Sequence, residues 1–267
     1  MGIFTAIILG LVQGITEFIP VSSSGHLEIV QQLIGGRPED FHYFLELINF
    51  GTLLALLIYY RQRIWKILKN IFVKKDFHFA INVIITCIPA GLAGLLLAKF
   101  IEENSFFSSL YTIGIAMGVV GLLMIFIEKL PKKTELKDET KLSKSRALGI
   151  GLAQVFALIP GVSRSGSTII AGRVMGLNSK SAADYSFLVS IPLMIAVCGK
   201  TLLSSGAREY FFNNIGMLAL SNLIAFVSGF LAISFVIKYL KKSNSLQAFG
   251  YYRVIVAIIV LVAMLIQ

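Results

Sequence analysis

The chain has 267 residues, of which 56% are hydrophobic and only 14% are charged, and its mean hydropathy is +0.81. A single soluble core cannot bury that much apolar surface, so the composition excludes a soluble globular domain and indicates an integral membrane protein. The net charge of +10 does not indicate a nucleic-acid-binding protein, because 16 of the 24 Lys and Arg residues fall in three short blocks between apolar segments.

The chain starts with an apolar segment, residues 3–19, that ends at Pro20. A Ser- and Gly-rich break at 21–25 leads from it into a second apolar piece, 26–35. Neither piece has the length of about 20 residues that a helix needs to cross a bilayer comfortably. The pattern therefore predicts a re-entrant helical hairpin over 3–35.

Six later segments are long and apolar enough to be membrane-spanning helices. They lie near residues 41–60, 78–98, 110–127, 184–203, 215–237 and 249–266. Between the third and the fourth, a second short hairpin is predicted over 147–177, where an apolar segment ends at Pro160 and a Gly- and Ser-rich break follows. The predicted fold class is therefore an all-α integral membrane protein.

The two hairpins are similar to each other in sequence. Six residues of the first recur 141 positions later in the second: Gly10, Leu11, Gln13, Ser22, Ser24 and Gly25 match Gly151, Leu152, Gln154, Ser163, Ser165 and Gly166. Three spans follow each hairpin, and an odd number of spans gives the two halves opposite orientations. We therefore expect an inverted repeat, with a first half over 1–128, a basic cytoplasmic linker over 129–146 and a second half over 147–267.

Three blocks of basic residues set the expected orientation. They consist of Arg61, Arg63, Lys66, Lys69, Lys74 and Lys75, then of Lys129, Lys132, Lys133, Lys137, Lys141, Lys144 and Arg146, and finally of Lys238, Lys241 and Lys242. Cytoplasmic loops carry an excess of Lys and Arg, so we place all three blocks in the cytoplasm. The first hairpin then enters from outside, the second enters from inside, and both termini lie outside. Unwound backbone at membrane depth must be buried or line a wet cavity, so we expect the two tips to meet near the midplane.

The candidate chemistry of the first hairpin lies in Glu17, Ser23 and His26. Glu17 lies one turn after Gln13 in an apolar helix, where a carboxylate must be paired, protonated or catalytic. Gln13 and Glu17 also bear on the nature of residues 1–19. Because these polar residues interrupt the apolar stretch and no basic residues precede it, we interpret residues 1–19 as mature sequence rather than a signal peptide. His26 lies one turn from Ser23 and can act as a base towards its hydroxyl. Two structural interpretations stay open: a Glu17 at the membrane interface, and a serine N-cap beside a satisfied histidine.

Arg164 is the charged residue of the second tip. It stands among hydroxyls and glycines in Pro160-Gly161-Val162-Ser163-Arg164-Ser165-Gly166-Ser167-Thr168. Arginine presents a planar fork of donors that suits phosphate oxygens, and an unpaired arginine is costly at membrane depth. A role that only neutralises Glu17 stays open. The carboxylate, the imidazole, the hydroxyls and the arginine together favour a site for an anionic, phosphorylated ligand in lipid.

The two tip sequences resemble the motifs of the undecaprenyl-diphosphatase family, also called the bacitracin-resistance membrane proteins. The segment Gln13-Gly14-Ile15-Thr16-Glu17 is similar to the first family motif, which begins with Glu or Gln. The second motif, PGxSRSxxT, is intact at 160–168. The resemblance extends over the whole chain in length and segment order.

This resemblance implies hydrolysis of undecaprenyl diphosphate to undecaprenyl phosphate and phosphate, which recycles the lipid carrier of cell-wall synthesis and confers resistance to bacitracin. It implies the bacterial cytoplasmic (inner) membrane, with a site open to the outer face. By this resemblance Ser23 is the nucleophile or its close partner, and His26 and Glu17 assist it. Arg164 matches the phosphate-binding arginine of the family. The further phosphate ligands that we expect are Gln13, Ser22, Ser24, Ser163, Ser165 and Thr168.

The resemblance also implies an association with magnesium or calcium. Gln13 stands where other members have Glu, which weakens a model with two carboxylates around a metal, and no ligand cluster identifies a metal by its spacing. As partners we expect the polyprenyl diphosphate and the bilayer, and no nucleic acid. The oligomeric state stays open.

The expected mechanism is a phosphoryl transfer that depends on positioning and charge neutralisation. Arg164 and helix N-terminal amides hold the diphosphate, Ser23 attacks the terminal phosphorus, His26 takes the serine proton and Glu17 orients the imidazole. The alternative is a transporter or flippase of polyprenyl phosphate, because inverted repeats with broken helices are common in transporters. The grouping of Ser23, His26 and Glu17 favours the enzyme, since a carrier needs neither nucleophile nor base. A purely structural protein would leave Glu17 and Arg164 without a role.

Overall fold

The computed structural model describes residues 2–35, 38–129 and 136–266, and within these ranges the chain is helical with no β-strand. The helices are α1 (Ile3–Phe18), α2 (Ser23–Ile34), α3 (Pro38–Leu47), α4 (Asn49–Tyr59), α5 (Arg61–Phe72), α6 (His78–Glu103), α7 (Ser105–Ser108), α8 (Leu110–Ile127), α9 (Lys144–Val155), α10 (Arg164–Val174), α11 (Ser179–Leu203), α12 (Ser205–Asn213), α13 (Ile215–Ser243) and α14 (Gln247–Ile266). Two short 3-10 turns lie at Glu139–Lys141 and Phe156–Leu158. The predicted all-α class is confirmed, while Lys132 and Lys133 of the basic linker lie outside the described ranges.

Six helical segments of the described chain are long and apolar enough to cross a membrane, and they coincide with the six predicted spans. They are Phe41–Tyr59, His78–Leu97, Leu110–Ile127, Ser179–Leu203, Ile215–Ser243 and Gln247–Ile266. Helix α1 is also apolar, but it has only 16 residues. At a rise of about 1.5 Å per residue it is shorter than the hydrocarbon core, which is about 30 Å thick.

Helices α1 and α2 pack together as one hairpin, and α9 and α10 pack together as another. The first turn contains Pro20 and the second contains Pro160. A proline in these turns prevents the first helix from continuing, because its nitrogen has no hydrogen to donate. The second hairpin was predicted over 147–177, and its first helix starts slightly earlier, at Lys144.

The first predicted span, 41–60, consists of two helices, α3 and α4, which meet at Ile48. The side-chain amide of Asn49 donates to the carbonyl oxygens of Leu45 (3.0 Å) and Glu46 (3.2 Å). These carbonyls belong to the last turn of α3, where a helix leaves carbonyl groups without backbone partners. Asn49 therefore stabilises the break. This break was not predicted from the sequence, because no proline marks the position.

Small residues allow two pairs of helices to approach closely. A Cβ atom added at Gly10 of α1 would lie 2.7 Å from the carbonyl oxygen of Ser221 in α13. A Cβ atom added at Gly151 of α9 would lie 2.7 Å from the carbonyl oxygen of Thr86 in α6. Packing of small residues is typical of helix pairs in membranes. It presses the first helix of each hairpin against a long span of the other half of the chain.

Polar contacts join the loops that carry the three basic blocks. Arg63 of the first block forms an ion pair with Glu139 of the linker. Glu128, just before the linker, accepts a hydrogen bond (3.1 Å) from the backbone N–H of Leu246, which follows the third block. The three blocks therefore lie at the same end of the protein.

Candidate active site

A serine caps the second helix of each hairpin. The hydroxyl of Ser22 accepts a hydrogen bond from the N–H of Gly25 (3.4 Å), and that of Ser163 accepts one from the N–H of Gly166 (3.1 Å). Both serines have a positive φ angle, 79° and 78°, which is uncommon for residues other than glycine. Each turn presents the first backbone N–H groups of a helix, which have no partner within the helix and are suited to bind an anion.

Arg253 of α14 joins the two tips, and its side chain is fully buried. Its Nη1 donates to the carbonyl of Pro20 in the first turn (3.2 Å). Its Nη2 donates to the carbonyls of Gly161 (2.6 Å) and Val162 (3.2 Å) in the second turn, and its Nε donates to Met117 (3.2 Å). Four carbonyls thus satisfy a cation that could not be buried alone. Arg253 was not among the predicted site residues, although an arginine inside a predicted span is a recognised signal of function.

The carboxylate of Glu17 is the centre of a hydrogen-bonded set of four side chains. Its Oε1 accepts from Nη2 of Arg164 at 2.5 Å. Its Oε2 accepts from the hydroxyl of Ser23 (2.7 Å) and from the amide of Gln13 (3.2 Å). The side chains of Glu17 and Arg164 are 12% and 21% exposed, so the pair is shielded but accessible. The structure thus brings together four predicted site residues from both hairpins.

Asn49 adds a fifth side chain that the sequence analysis missed. The amide nitrogen of Gln13 donates to Oδ1 of Asn49 (2.9 Å) as well as to Glu17. Because Asn49 uses its own N–H groups on the carbonyls of α3, it offers Gln13 an acceptor. This contact fixes the orientation of the Gln13 amide, with its donors towards Glu17.

His26 has different partners from those expected. Its Nδ1 lies 2.7 Å from the carbonyl oxygen of Ser22, and its Nε2 lies 2.8 Å from the hydroxyl of Tyr252, whose ring stacks on the imidazole. A carbonyl only accepts, so Nδ1 carries the hydrogen and Nε2 of the neutral ring accepts from Tyr252. The expected relay from Ser23 through His26 to Glu17 is not the arrangement seen, because Ser23 donates directly to Glu17. Tyr252 was also missed by the sequence analysis.

Most of the remaining predicted phosphate ligands make contacts within the protein. Ser163, Ser165 and Thr168 are buried. The hydroxyls of Ser163 and Ser165 lie 3.2 Å apart, and that of Thr168 donates to a backbone carbonyl one turn earlier (2.9 Å). Ser22 is buried as well, whereas Ser24 beside it is exposed. Phosphate binding by these five hydroxyls stays a prediction.

Two of the three structural interpretations that the sequence left open, the serine N-cap and the neutralisation of Glu17 by Arg164, describe part of this geometry. Ser22 is an N-cap beside a histidine whose ring nitrogens are both occupied, and Arg164 neutralises Glu17. Neither interpretation accounts for the hydroxyl of Ser23. It belongs to the first turn of α2, is not a cap, and donates to a carboxylate.

The hydrogen-bonded set at the tips offers a divalent cation a single carboxylate, that of Glu17. Among the described residues, no group of three or more His, Cys, Asp or Glu side chains could hold a metal ion. Mg²⁺ bound together with substrate phosphates takes one or two carboxylates from the protein. Here both oxygens of Glu17 already accept hydrogen bonds, and position 13 supplies an amide instead of a second carboxylate.

Comparison with known proteins places this geometry in a family. A family model described as "Bacitracin resistance protein BacA" matches residues 6–259. The chain is 39% identical to "Undecaprenyl-diphosphatase 1" of Clostridioides difficile, over 97% of this chain and 95% of that protein. It is 37% identical to "Undecaprenyl-diphosphatase" of Wolinella succinogenes, over 98% of both chains, and 36% identical to the protein of that name in Neisseria gonorrhoeae, over 97% and 94%. The chain belongs to the bacitracin resistance protein BacA family.

Proposed function

We propose that the protein is a phosphatase that hydrolyses undecaprenyl diphosphate to undecaprenyl phosphate and inorganic phosphate, and so recycles the lipid carrier of cell-wall synthesis. The names of the similar proteins describe this activity. One observation carries the proposal: the hydroxyl of Ser23 donates to one oxygen of Glu17 while Arg164 binds the other. A nucleophile, a base and a phosphate-binding cation thus form one hydrogen-bonded set between two helix N-termini.

The terminal phosphate of the substrate binds where the two hairpin tips meet. The first N–H groups of α2 and α10 provide backbone donors, as helix N-termini do for phosphates. Arg164 uses Nη2 for Glu17, its Nη1 also lies 3.5 Å from the carbonyl oxygen of Ser190, and its remaining N–H groups contact phosphate oxygens. The exposed hydroxyl of Ser24 adds a further donor. Binding therefore neutralises the phosphate before any bond changes.

The reaction proceeds in two steps through a phosphoserine. The hydroxyl oxygen of Ser23 attacks the terminal phosphorus, Glu17 takes the serine proton, and the bond to the bridging oxygen breaks to release undecaprenyl phosphate. Water then attacks the phosphoserine, its oxygen passes to inorganic phosphate, and Glu17 returns the proton to the oxygen of Ser23. The net change consumes one water. Rate acceleration comes from positioning and from donors that are already oriented.

His26 serves this reaction by positioning the first tip. Its Nδ1–H donates to the carbonyl of Ser22, the residue with positive φ that immediately precedes Ser23. Tyr252 in turn fixes the ring through Nε2 and by stacking. Loss of the imidazole would remove the hydrogen bond that holds the Ser22 turn, and with it the position of Ser23.

We place the protein in the bacterial cytoplasmic membrane, with the site open to the outer face. The three basic blocks at one end of the protein support a cytoplasmic position for that end. The opening to the outer face is the one that the resemblance to the undecaprenyl-diphosphatase family implies. The polyprenyl chain of the substrate would remain in the bilayer beside the spans.

We also propose that the two halves of the chain form an inverted repeat. The contacts of α1 with α13 and of α9 with α6 are the pairs that an exchange of the halves would interconvert. Ser22 and Ser163 are separated by the 141 residues of the sequence repeat and share φ angle and capping contact. These correspondences support a duplication with opposite orientations.

Phosphate release by purified protein tests the proposed function. We expect release from undecaprenyl diphosphate by the wild type, and a phosphoserine trapped by rapid acid quenching. Ser23→Ala should lose at least about a hundredfold in turnover, the scale of acid–base and nucleophilic assistance. Ser24→Ala is the comparison variant and should cost less, because it removes one hydrogen bond, worth about 0.5–1.5 kcal/mol or somewhat more to a charged phosphate.

The outcome also separates the enzyme from the transporter. A protein that releases no phosphate but moves polyprenyl phosphate between the leaflets of a vesicle would replace the proposed function with transport. Retained turnover in Ser23→Ala, together with loss in Glu17→Gln, would keep the phosphatase but make water the nucleophile.

A further inference from the structure

Helix α5 (Arg61–Phe72) connects two consecutive spans but cannot itself cross the membrane. Its 12 residues measure about 18 Å, and none of them is buried. It begins directly after α4 and ends a few residues before α6, at the end of the protein where the basic blocks lie. A short helix between two spans is expected at the level of the membrane surface.

The apolar residues of α5 cover two adjoining faces. Ile64 and Ile67 pack against the main hydrophobic core. Trp65, Leu68 and Phe72 follow the spacing i, i+3, i+7 of a single helical face, and they are 70%, 39% and 69% exposed. One side of the helix therefore contacts the protein, and the side next to it presents large apolar groups outward.

The charges on the inner side of α5 largely offset one another. A cavity of about 280 Å³ beside the helix is lined by Arg63 and Lys66 and also by Asp76 and Asp138. The hydroxyl of Thr140 donates to Asp138 (2.6 Å) and lowers the pKa of that carboxyl, which is therefore ionised at neutral pH. Two carboxylates thus face two cations here.

Three further lysines at α5 lie outside the lining of this cavity. Lys69 lies on the helix, Lys74 and Lys75 lie just after it, and all three are exposed and outside the cavity lining. Together with the adjoining apolar face, they form the pattern of a helix that lies in the membrane–water interface, with apolar groups in the acyl region and Lys at the headgroups.

We propose that α5 lies in this interface and binds the headgroups of anionic phospholipids, with Trp65, Leu68 and Phe72 among the acyl chains. Charge complementarity selects the partner, because a zwitterionic headgroup offers the lysines no net negative charge. Each basic residue near an anionic leaflet is worth about a fivefold change in binding. This surface is separate from the site at the hairpin tips, so the proposal does not depend on the proposed activity.

The chain contains its own probe, because Trp65 is its single tryptophan. The test uses full-length protein in lipid nanodiscs of phosphatidylcholine and phosphatidylglycerol, in which either one lipid or the other is brominated on its acyl chains. Bromine quenches tryptophan fluorescence only at short range. At equal mole fractions, we expect brominated phosphatidylglycerol to quench Trp65 several-fold more than brominated phosphatidylcholine. The preference should fall in about 1 M salt, where the Debye length shrinks to about 3 Å.

Two matched triple variants locate the effect. Lys69→Gln, Lys74→Gln and Lys75→Gln together should abolish the preference for the anionic lipid. Lys238→Gln, Lys241→Gln and Lys242→Gln, which remove the same charge from exposed positions of the third block, should leave it intact. Equal quenching by the two brominated lipids in the wild type would overturn the proposal. So would loss of the preference in both variants, or quenching of Trp65 by aqueous iodide alone. The salt series on the wild type keeps the test decisive if a variant fails to fold.

Discussion

The two oxygens of the Glu17 carboxylate serve different partners, and we propose that this division couples substrate binding to activation of Ser23. Oε1 holds Arg164, whereas Oε2 accepts from Ser23 and Gln13. A phosphate that takes up donors of Arg164 weakens its hold on Oε1. The carboxylate is then left to act on Ser23 at the moment when a phosphorus atom is in reach.

Arg164→Lys should lose most of the activity although it keeps the charge. A lysine ammonium is a point charge and cannot bind Glu17 and phosphate through a planar fork of donors. We expect kcat/KM to fall by about a hundredfold, the scale for loss of one preoriented donor. The measurement is phosphate release by purified protein.

Arg208→Lys in α12 is the matched control for this change, because Arg208 is exposed and contacts only nearby carbonyls of its own region. It should retain wild-type kinetics. Near-normal turnover of Arg164→Lys would mean that the arginine acts by charge alone.

Asn49 should act on the reaction through Gln13. Asn49→Ala removes the acceptor that orients the Gln13 amide, so kcat should fall with little change in KM. Gln13→Ala removes the next link, and the double variant should be little worse than either single one, because residues that act through one chain of contacts are not additive.

Asn222→Ala is the matched control for this cycle. Its side chain accepts from the N–H of Gly51 on the opposite side of α4, and no hydrogen bond connects it to Gln13 in the described structure. Its effect should add to that of Gln13→Ala. Additive effects of Asn49→Ala and Gln13→Ala would contradict a shared role.

The sequence predicted the members of the hydrogen-bonded set that belong to short motifs and missed those that arrive from distant segments. Glu17, Ser23 and Arg164 belong to recognisable motifs. An arginine at membrane depth requires an anionic partner, which pointed to Glu17. Asn49 and Tyr252 are ordinary residues in apolar helices, and tertiary packing alone brings them to the tips. His26 was predicted to serve Ser23 from its spacing, but the Ser22 carbonyl and the Tyr252 hydroxyl compete for its nitrogens.

At the level of elements, the sharp turn of each hairpin tip depends on backbone conformations that few residues tolerate. In the second turn Gly161 has φ +92°, and a Cβ atom there would lie 2.7 Å from the carbonyl oxygen of Ile113 in α8. Its own carbonyl accepts from Arg253. The turn therefore requires glycine for its conformation and for its close contact.

Gly161→Ala should destabilise the protein and disturb the site. The positive φ alone costs about 1–3 kcal/mol, and the contact with Ile113 would force the turn away from Arg253. We expect a lower melting temperature in detergent and reduced phosphate release. Gly91→Ala is the control, because a Cβ atom at Gly91 in α6 meets nothing within 4 Å. A Gly161→Ala protein as stable as the control would show that the turn can relax.

Helices and breaks were predicted where the composition of a segment determines them, and were missed where a single local contact determines them. Six apolar segments and two Gly- and Ser-rich breaks gave the spans and hairpins, because length and hydrophobicity determine which segments can cross a bilayer. The break at Ile48 was missed, since one amide at Asn49 stabilises it. Helix α5 was missed as well, because its block of basic residues was interpreted only as a loop.

For the whole molecule, the distribution of charge makes the orientation testable. The basic blocks gather at one end, while α7 and the end of α6 belong to a segment with few basic residues, such as Lys99, which pairs with Glu103 (3.7 Å). The positive-inside rule then places Glu103 outside and Lys137 inside. An inverted repeat with hairpins that enter from opposite sides requires only that these two residues lie on opposite faces, and the basic blocks decide which face is cytoplasmic.

Cysteine labelling in intact cells should therefore reach Glu103→Cys and miss Lys137→Cys. Both side chains are exposed, so a membrane-impermeant maleimide can react with either cysteine from the side on which it lies. The wild type serves as background, because Cys87 and Cys198 are partly or fully buried within spans. Permeabilised cells should allow both introduced cysteines to react, which shows that Lys137→Cys is reactive when reached. Labelling of Lys137→Cys alone in intact cells would invert the orientation, move the first hairpin to the cytoplasmic side and contradict a site that opens to the outer face.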